Sequence, residues 1–189
     1  MGFVDRSPAV LVRPLNTRDY LALAILGSAA RGPLAIDEVP ALISGLAGPL
    51  WSPVHPLIHD AMDEMVVDGQ LGTTKAADSE HLRLTLRPSG HRRLHHLLAL
   101  HIPGPLTAFG QVGVRLKLAF LDLLPPPMRR HQIGALIRAY DCEIAGRNRH
   151  CHAWPLSGSY GRQWLDGQME GLEDSLTLLR DLARCDGES

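Results

Sequence analysis

The chain has 189 residues, of which 45% are hydrophobic and 21% are charged, and its formal net charge is −1. This composition is typical of a soluble globular protein, with one large domain or a small domain and an appendage. A net charge so close to zero excludes a general basic field that would draw the chain onto nucleic acid or an anionic membrane. Any affinity for DNA must therefore come from local patches.

The N-terminal segment and the cysteines indicate a cytoplasmic protein with no membrane partner. No apolar run reaches about 18 residues, and residues 1–16 contain charges and prolines where a signal peptide would have an apolar core. Cys142, Cys151 and Cys185 are odd in number and widely spaced, which predicts reduced thiols. We expect residues 1–16 to form a flexible arm.

The first half of the chain has the pattern of three helices, two strands and a fourth helix. Asn16 or Thr17 is a good N-cap for the first helix, and the second spans roughly residues 36–46. Ser52 as N-cap and Pro53 in the first position predict the start of the third helix.

Two short strands are predicted at residues 71–76 and 81–86, around a polar turn at 77–79. Leu82, Leu84 and Leu86 alternate with polar residues, which gives the second strand one apolar face. A fourth helix is expected at about residues 90–101.

After a linker at residues 102–105, three further helices are predicted. The first ends at the prolines of residues 125–127, and a loop at 146–159 separates the other two. The last helix has an apolar stripe at 4-3-4-3 spacing, which suits packing on another helix. Its members are Leu165, Met169, Leu172, Leu176 and Leu179.

Four segments, in this order along the chain, resemble the PadR family of winged helix-turn-helix transcriptional regulators. They are Ile25-Leu26-Gly27 with Gly32-Pro33-Leu34, then Trp51-Ser52-Pro53 with Ile58, Ala61 and Gly69, then Leu84, Leu86 and Gly90, and finally residues 115–121 with Leu124-Pro125-Pro126. The resemblance implies a mainly α fold. Residues 17–101 would form a winged helix-turn-helix domain of three helices and a two-stranded wing, and residues 106–185 a C-terminal helical dimerisation and effector region.

The resemblance also implies a function. The chain would be a homodimer that occupies promoter DNA as a repressor, with no cofactor and no enzymatic activity. By this analogy the stripe from Leu165 to Leu179 is the dimer contact, and a small-molecule effector would bind between the C-terminal helices. Trp154, Tyr160 and Trp164 form an aromatic group near that place, although they could equally pack the last helix.

The residues that would face DNA depart from the family pattern. A Tyr usual in the recognition helix is His59 here, and a Lys or Arg pair is Asp63-Glu64, while a Thr near the end of the wing is Arg87. The Gly-Tyr that opens the family's second helix is Ile36-Asp37. Because phosphate affinity requires cations, this favours binding led by the wing.

The predicted DNA contacts are Ser52, His55 and His59 near bases, and Lys75, Arg83, Arg87, Arg92 and Arg93 near phosphates. His55 and His59 become cationic below about pH 6.5, which would make DNA binding depend on pH. The alternative is a degenerate winged helix that docks on a basic partner protein through Asp60, Asp63, Glu64 and Val67. A third interpretation takes these acids as a merely solvated helix face.

No other sequence pattern indicates a metal site or a catalytic site. His91 and His95 have the i, i+4 spacing of metal ligands, but two histidines do not complete a site. His150-Cys151-His152 with Cys142 is a second candidate, for which a polar loop between helices is the favoured interpretation. The sequence has no Gly-rich phosphate loop, no nucleophile elbow and no HExxH, so we expect neither a bound metal nor catalysis.

Overall fold

A computed structural model of the chain describes residues 13–75, 82–151 and 159–187. In these ranges the α-helices are α1 (Thr17–Arg31), α2 (Val39–Ala47), α3 (His55–Val67), α4 (Pro88–Ala99), α5 (Ala108–Phe120), α6 (Pro126–Cys151) and α7 (Ser159–Gly187). The strands are β1 (Leu34–Ala35), β2 (Leu71–Lys75) and β3 (Leu82–Leu86). No helix in the described ranges is both long and apolar enough to cross a membrane.

Helix α1 begins where the sequence predicts, because its first turn is capped by its own side chains. The Asn16 side chain accepts a hydrogen bond from the Asp19 amide at 3.0 Å, and the Asp19 carboxylate accepts one from the Asn16 amide at 3.0 Å. This reciprocal pair satisfies two amides that have no partner within the helix. Leu15 is buried and its amide donates to the His101 carbonyl at 3.0 Å, so residues 13–16 are bound to the domain instead of belonging to a free arm.

The start of α3 differs from the prediction. The helix begins at His55, its N-cap is Val54 without a side-chain cap, and Ser52 is not the capping residue. A helix that began at Pro53 would have Pro56 at the first position whose amide must bond within the helix, and proline has none to donate. Starting at His55 brings Pro56 into the first turn, where an amide is not needed.

The sheet has three antiparallel strands in the order β1-β3-β2. The β2–β3 hairpin confirms the predicted wing, whereas β1 was not predicted because two residues are too short to show a pattern. Leu84 lies opposite Leu34 on one side and Thr73 on the other, and it is the buried centre of the sheet. Leu82 was predicted to lie on the apolar face, but 44% of it is exposed, because it pairs with Lys75 at the outer end of the wing. The predicted turn at 77–79 lies outside the described residues.

Helix α4 follows β3 directly and starts at Pro88, two residues before the predicted position. The Arg87 amide donates to the Gln70 carbonyl at 3.0 Å, which ties the exit of the wing to its entrance. Gly90 is needed at this crossing, since a Cβ there would lie 2.3 Å from the same carbonyl oxygen.

Helix α5 packs on the winged helix, beyond the linker. The ring of Phe120 covers Gly27 of α1, and a Cβ at Gly27 would lie 2.5 Å from it. Arg31 makes two hydrogen bonds to the Asp122 carboxylate at 2.7 Å each, and Arg115 donates to the Ala47 carbonyl at 3.1 Å. The division of the chain near residue 101 therefore stays a prediction about domains that contact each other closely.

Helices α6 and α7 form an antiparallel pair. Arg129 at the start of α6 pairs with Asp186 at the end of α7, and Arg180 donates to Asp141 at 2.9 Å. Helix α6 continues through residues 146–151, which the sequence predicts as loop. Its polar run of Arg147 to Cys151 has no apolar stripe, but Arg147 pairs with Glu143 one turn earlier at 3.0 Å, a spacing that favours helix.

Candidate nucleic-acid interface

The outer face of the wing is basic. Arg83 lies opposite Thr74 on the face of β3 that points away from buried Leu84, and its side chain is exposed. The Arg87 guanidinium lies over Gly72 on the same side, because a Cβ at Gly72 would be 2.8 Å from Arg87 Nε. Arg87 follows β3 directly and its backbone is still extended, so the alternation of β3 continues to it and gives Arg83 and Arg87 one common surface.

The other predicted phosphate contacts differ in their exposure and in their partners. Lys75 ends β2 and is exposed, and Arg92 is exposed on α4. Arg93 is only 38% exposed and its Nη2 lies 3.2 Å from the Asp19 carboxylate. Arg93 therefore joins α4 to α1, and a phosphate would have to compete with that carboxylate for it.

Asp19 holds these cations because it is buried and has several donors around it. Burial by itself raises the pKa of this carboxyl, but the hydrogen bonds from Arg13 and from the Asn16 amide, with the charges of Arg13 and Arg93, lower the pKa overall. The carboxylate is thus charged at neutral pH and binds both arginines.

The exposed side of α3 combines the predicted base contacts with the acids of the alternative interpretation. His55 and His59 are exposed, as is Ser52 just before the helix. The same surface contains Asp60, Asp63 and Glu64. Arg18 of α1 approaches one of these acids, with its Nη1 3.9 Å from Glu64 Oε1. Both side chains are largely exposed, so this ion pair is worth little energy in water.

A cleft of about 700 Å³ runs between α1 and α3. Asp60, Asp63 and Glu64 line it, and so does Val67, which is 86% exposed. The structure thus brings the four residues of the alternative docking surface together beside one depression. Arg18 of α1 and Arg93 of α4 also line this cleft, so its charge is mixed, although α3 itself contributes only acids.

The remaining sequence candidates form no chemical site in the described ranges. No group of three or more His, Cys, Asp or Glu side chains there could hold a metal ion. His91 and His95 lie on α4 as predicted, while the side chains of His150 and Cys151 and all of His152 are outside the described residues. Of the predicted aromatic group, Tyr160 is 86% and Trp164 is 64% exposed, so these two do not pack the last helix, and Trp154 is outside the described residues.

A different aromatic cluster lies near the start of α3. The Tyr20 ring is 6.2 Å from Trp51 and 4.7 Å from Phe109, and Trp51 lies 6.4 Å from Phe109. The Tyr20 hydroxyl is buried, and burial raises its pKa to about 12. The three rings come from α1, the segment before α3 and α5, so no local pattern could have predicted the cluster. It connects α5 to α1 and to the segment that leads into α3.

The chain is similar to several solved structures at low sequence identity. Two solved structures of Bacillus subtilis PadR, one in complex with operator DNA and one with p-coumaric acid, are each 20% identical to the chain with a TM-score of 0.40. The first covers 88% of this chain and 98% of PadR, and the second covers 89% and 99%. The smu.1604c protein of Streptococcus mutans is 11% identical with a TM-score of 0.39, over 88% of this chain and 98% of its own. No curated protein matches the chain.

A family model matches most of the chain. Residues 13–183 match the family of AphA-like transcriptional regulators, a range that includes both the winged helix and the C-terminal helices. This match confirms the sequence-based prediction of a transcriptional regulator. The chain belongs to the AphA-like family of transcriptional regulators.

Proposed function

We propose that the chain is a homodimeric repressor that binds promoter DNA chiefly through its wing. Arg83 and Arg87 on the wing, with Lys75 at its end and Arg92 on α4, would contact phosphates. Ser52, His55 and His59 would lie near base edges and supply a weaker readout. The observation that supports this most directly is the shared outer face of Arg83 and Arg87, next to the recognition helix of a winged helix-turn-helix regulator.

The distribution of charge explains why the wing, and not α3, would make the main contact with DNA. Each cation that neutralises a phosphate releases counterions, and this term dominates affinity for DNA. The acids of α3 are repelled by phosphates, although a carboxylate can accept a hydrogen bond from a cytosine amino group in the major groove. Binding would therefore involve few phosphate contacts, with α3 selecting against most sequences.

A second copy would dock on α7. One side of this helix exposes large apolar and small residues that fall on one stripe at about 100° per residue. They are Tyr160, Trp164, Gly167, Gly171, Leu178 and Leu182. The predicted stripe lies on another side of the helix, more than about 100° around from the exposed one. Its residues Leu176 and Leu179 are buried against α6 of the same chain, whereas Leu165, Met169 and Leu172 are partly exposed. A dimer would thus use the exposed stripe first, and the predicted stripe would mainly pack α7 on α6.

The proposal is tested in cells that carry a reporter gene behind the upstream region of the protein's own gene. Alanine at Arg83 and Arg92 together should relieve repression, while alanine at Asp60, Asp63 and Glu64 together should leave it intact or strengthen it. Both variants change exposed side chains, so differences in folding should be small. Equal repression by wild type and the arginine variant would reject the wing as the DNA contact.

The cleft between α1 and α3 supports a second candidate, in which the acidic side of α3 docks on a basic partner protein. Its acids surround Val67, an exposed apolar side chain that could be buried in such an interface. In the same reporter assay, this candidate requires loss of regulation from the acid variant and none from the arginine variant.

A further inference from the structure

The pair of helices α6 and α7 meets the rest of the fold at a joint that side chains do not fill. A cavity of about 350 Å³ lies there, between the end of α4, the turn that follows it, α5 and α6. Native interiors contain few voids larger than a water molecule, so α6 lacks close packing on this side. The chain crosses the same place at residues 102–105, where Gly104 has a left-handed φ of +51°. The joint is thus a gap that polar contacts span.

Two side chains span this gap, and both end on carbonyls at the end of α4. Lys117 of α5 donates from its ammonium to the Leu100 carbonyl and to Gln132 Oε1, the latter at 2.5 Å. Gln132 of α6 donates in turn to the Ala99 carbonyl at 3.1 Å. The last carbonyls of a helix have no partner within it, and a cation is favourable at that end. Lys117 and Gln132, which we call the latch, therefore attach the winged helix to α6.

The latch contains a charge without a partner of opposite sign among the residues that line the cavity. Lys117 is 2% exposed, and its two acceptors are neutral oxygens. The other titratable side chains of the lining are His101 of the turn and His131 of α6, which supply no negative charge. Taking an ammonium out of water is costly, and this burial lowers the pKa of Lys117 to about 8. The protonated lysine therefore destabilises the closed joint.

We propose that this joint is a hinge controlled by one proton: protonated Lys117 favours separation of α6 from α4, and loss of the proton favours the closed joint. Separation would admit water to Nζ and so remove the cost of burying the charge. Opening therefore takes up a proton, and a rise in pH from 7 toward 10 closes the joint. Because α7 is the proposed dimer helix, the hinge would set the angle between two winged helices. That consequence rests on the proposed function, whereas the hinge itself does not.

Hydrogen exchange of the full-length protein, read by mass spectrometry at pH 7 and at pH 9.5, measures opening of the joint. Exposure times are scaled to the intrinsic exchange rate at each pH. Release of the latch would uncap the last turn of α4, so amide exchange in residues 96–106 reports opening. Protection of these residues should rise by about tenfold or more between the two pH values, because opening requires a proton that becomes scarce.

Two variants connect this pH dependence to the latch. Lys117→Met removes the titrating group, and Gln132→Glu places a carboxylate beside the ammonium, which should raise the pKa of Lys117 and keep it charged at pH 9.5. Both should abolish the rise in protection, whereas Lys75→Met, which removes an exposed lysine of β2, should retain it. A lysine with a merely structural role would instead change protection equally at both pH values. If Lys117→Met does not fold, Gln132→Glu decides.

The hinge is overturned if residues 96–106 of the wild type are equally protected at the two pH values, or if the rise persists in either folded variant of the latch. It is also overturned if these residues exchange no faster than the core of α1 at residues 21–26. Lys117 would then meet water only when the whole chain unfolds. None of these outcomes depends on DNA binding, so the hinge and the proposed function are tested separately.

Discussion

Lys117 is the residue whose surroundings differ most from its appearance in the sequence. In the run Arg115-Leu116-Lys117-Leu118 it resembles one of two surface cations on an amphipathic helix, yet it is buried between α4, α5 and α6. Helical spacing separates faces by about 100° per residue, but it does not say which face a distant helix will cover. Burial of Lys117 follows from the packing of α6, which no local pattern predicts.

Lys117 should make the stability of the protein depend on pH in the alkaline range. Its pKa is about 8 in the folded state against 10.5 for an unperturbed lysine, so between these pH values the unfolded chain binds the proton that the folded chain has released. The contribution of Lys117 to the free energy of unfolding should therefore rise with pH there, by an amount on the order of 3 kcal/mol, and be least favourable at neutral pH, where the buried lysine is charged. Urea unfolding of wild type and Lys117→Met at several pH values measures this.

The comparison isolates Lys117, because titrations common to both proteins cancel in the difference. The gap between wild type and Lys117→Met should shift in favour of wild type as pH rises from about 8 toward 10.5. A difference that stays constant across this range would show that the folded and unfolded chains hold the Lys117 proton equally.

The surface residues of the wing were easier to predict. Alternation along the second predicted strand indicated one apolar and one polar face, and the structure places Arg83 on the exposed side, away from buried Leu84. The same reasoning could not show that Arg93 pairs with Asp19, because the two residues are 74 positions apart and on different helices. Local periodicity gives exposure within an element, whereas ion pairs between elements need the tertiary fold.

At the scale of the elements, the predictions succeeded where short-range chemistry decides. The start of α1 follows from the Asn16–Asp19 capping box, which is a contact between neighbours in sequence. The predicted start of α3 was wrong because the helix must begin late enough to keep Pro56 in its first turn, where no amide donor is needed. Strand β1 was not predicted for another reason: this two-residue strand forms only by pairing with the distant strand β3.

Docking of α5 on α1 depends on a glycine, and a pair of alanine variants tests it. Gly27→Ala would bring a methyl group against the buried Phe120 ring, so it should lower the free energy of unfolding by about 1–3 kcal/mol. Gly45→Ala is the matched control: it is also within a helix, but its Cβ would meet nothing within 4 Å. It should leave stability unchanged or raise it by up to about 1 kcal/mol, since alanine favours helix more than glycine.

Thermal or urea unfolding of the two variants gives the answer. A loss of stability confined to Gly27→Ala would support the tight contact between α1 and α5. If both variants were equally stable, the Phe120 ring would have to move freely, and the two halves of the chain would not be packed as described.

At the scale of the whole molecule, the proposed dimer depends on apolar side chains that one copy leaves in water. Trp164→Asp with Leu178→Asp should dissociate the dimer, because each change would bury an unpaired carboxylate in the interface. Arg162→Asp with Asp181→Arg is a control on exposed polar positions of the same helix. Sedimentation equilibrium over a range of protein concentrations measures the result.

Monomers in the first variant and dimers in the control are the predicted outcome. A dimer that withstands the first variant would move the interface elsewhere, for example to the partly exposed side of Leu165 and Met169. Since two winged helices must be held at a fixed spacing to read two half-sites, loss of the dimer should also weaken binding to DNA.

This regulator, as we propose, binds DNA through a few cations of its wing, despite the acids on the exposed side of α3. Fluorescence anisotropy with a duplex from upstream of its own gene and a scrambled duplex, across a salt series at pH 7, tests it directly. We predict sequence-dependent binding with a shallow dependence on salt, and a slope reduced by about one in Arg83→Ala. Binding to both duplexes no tighter than about 10⁻⁵ M at low salt would contradict the claim.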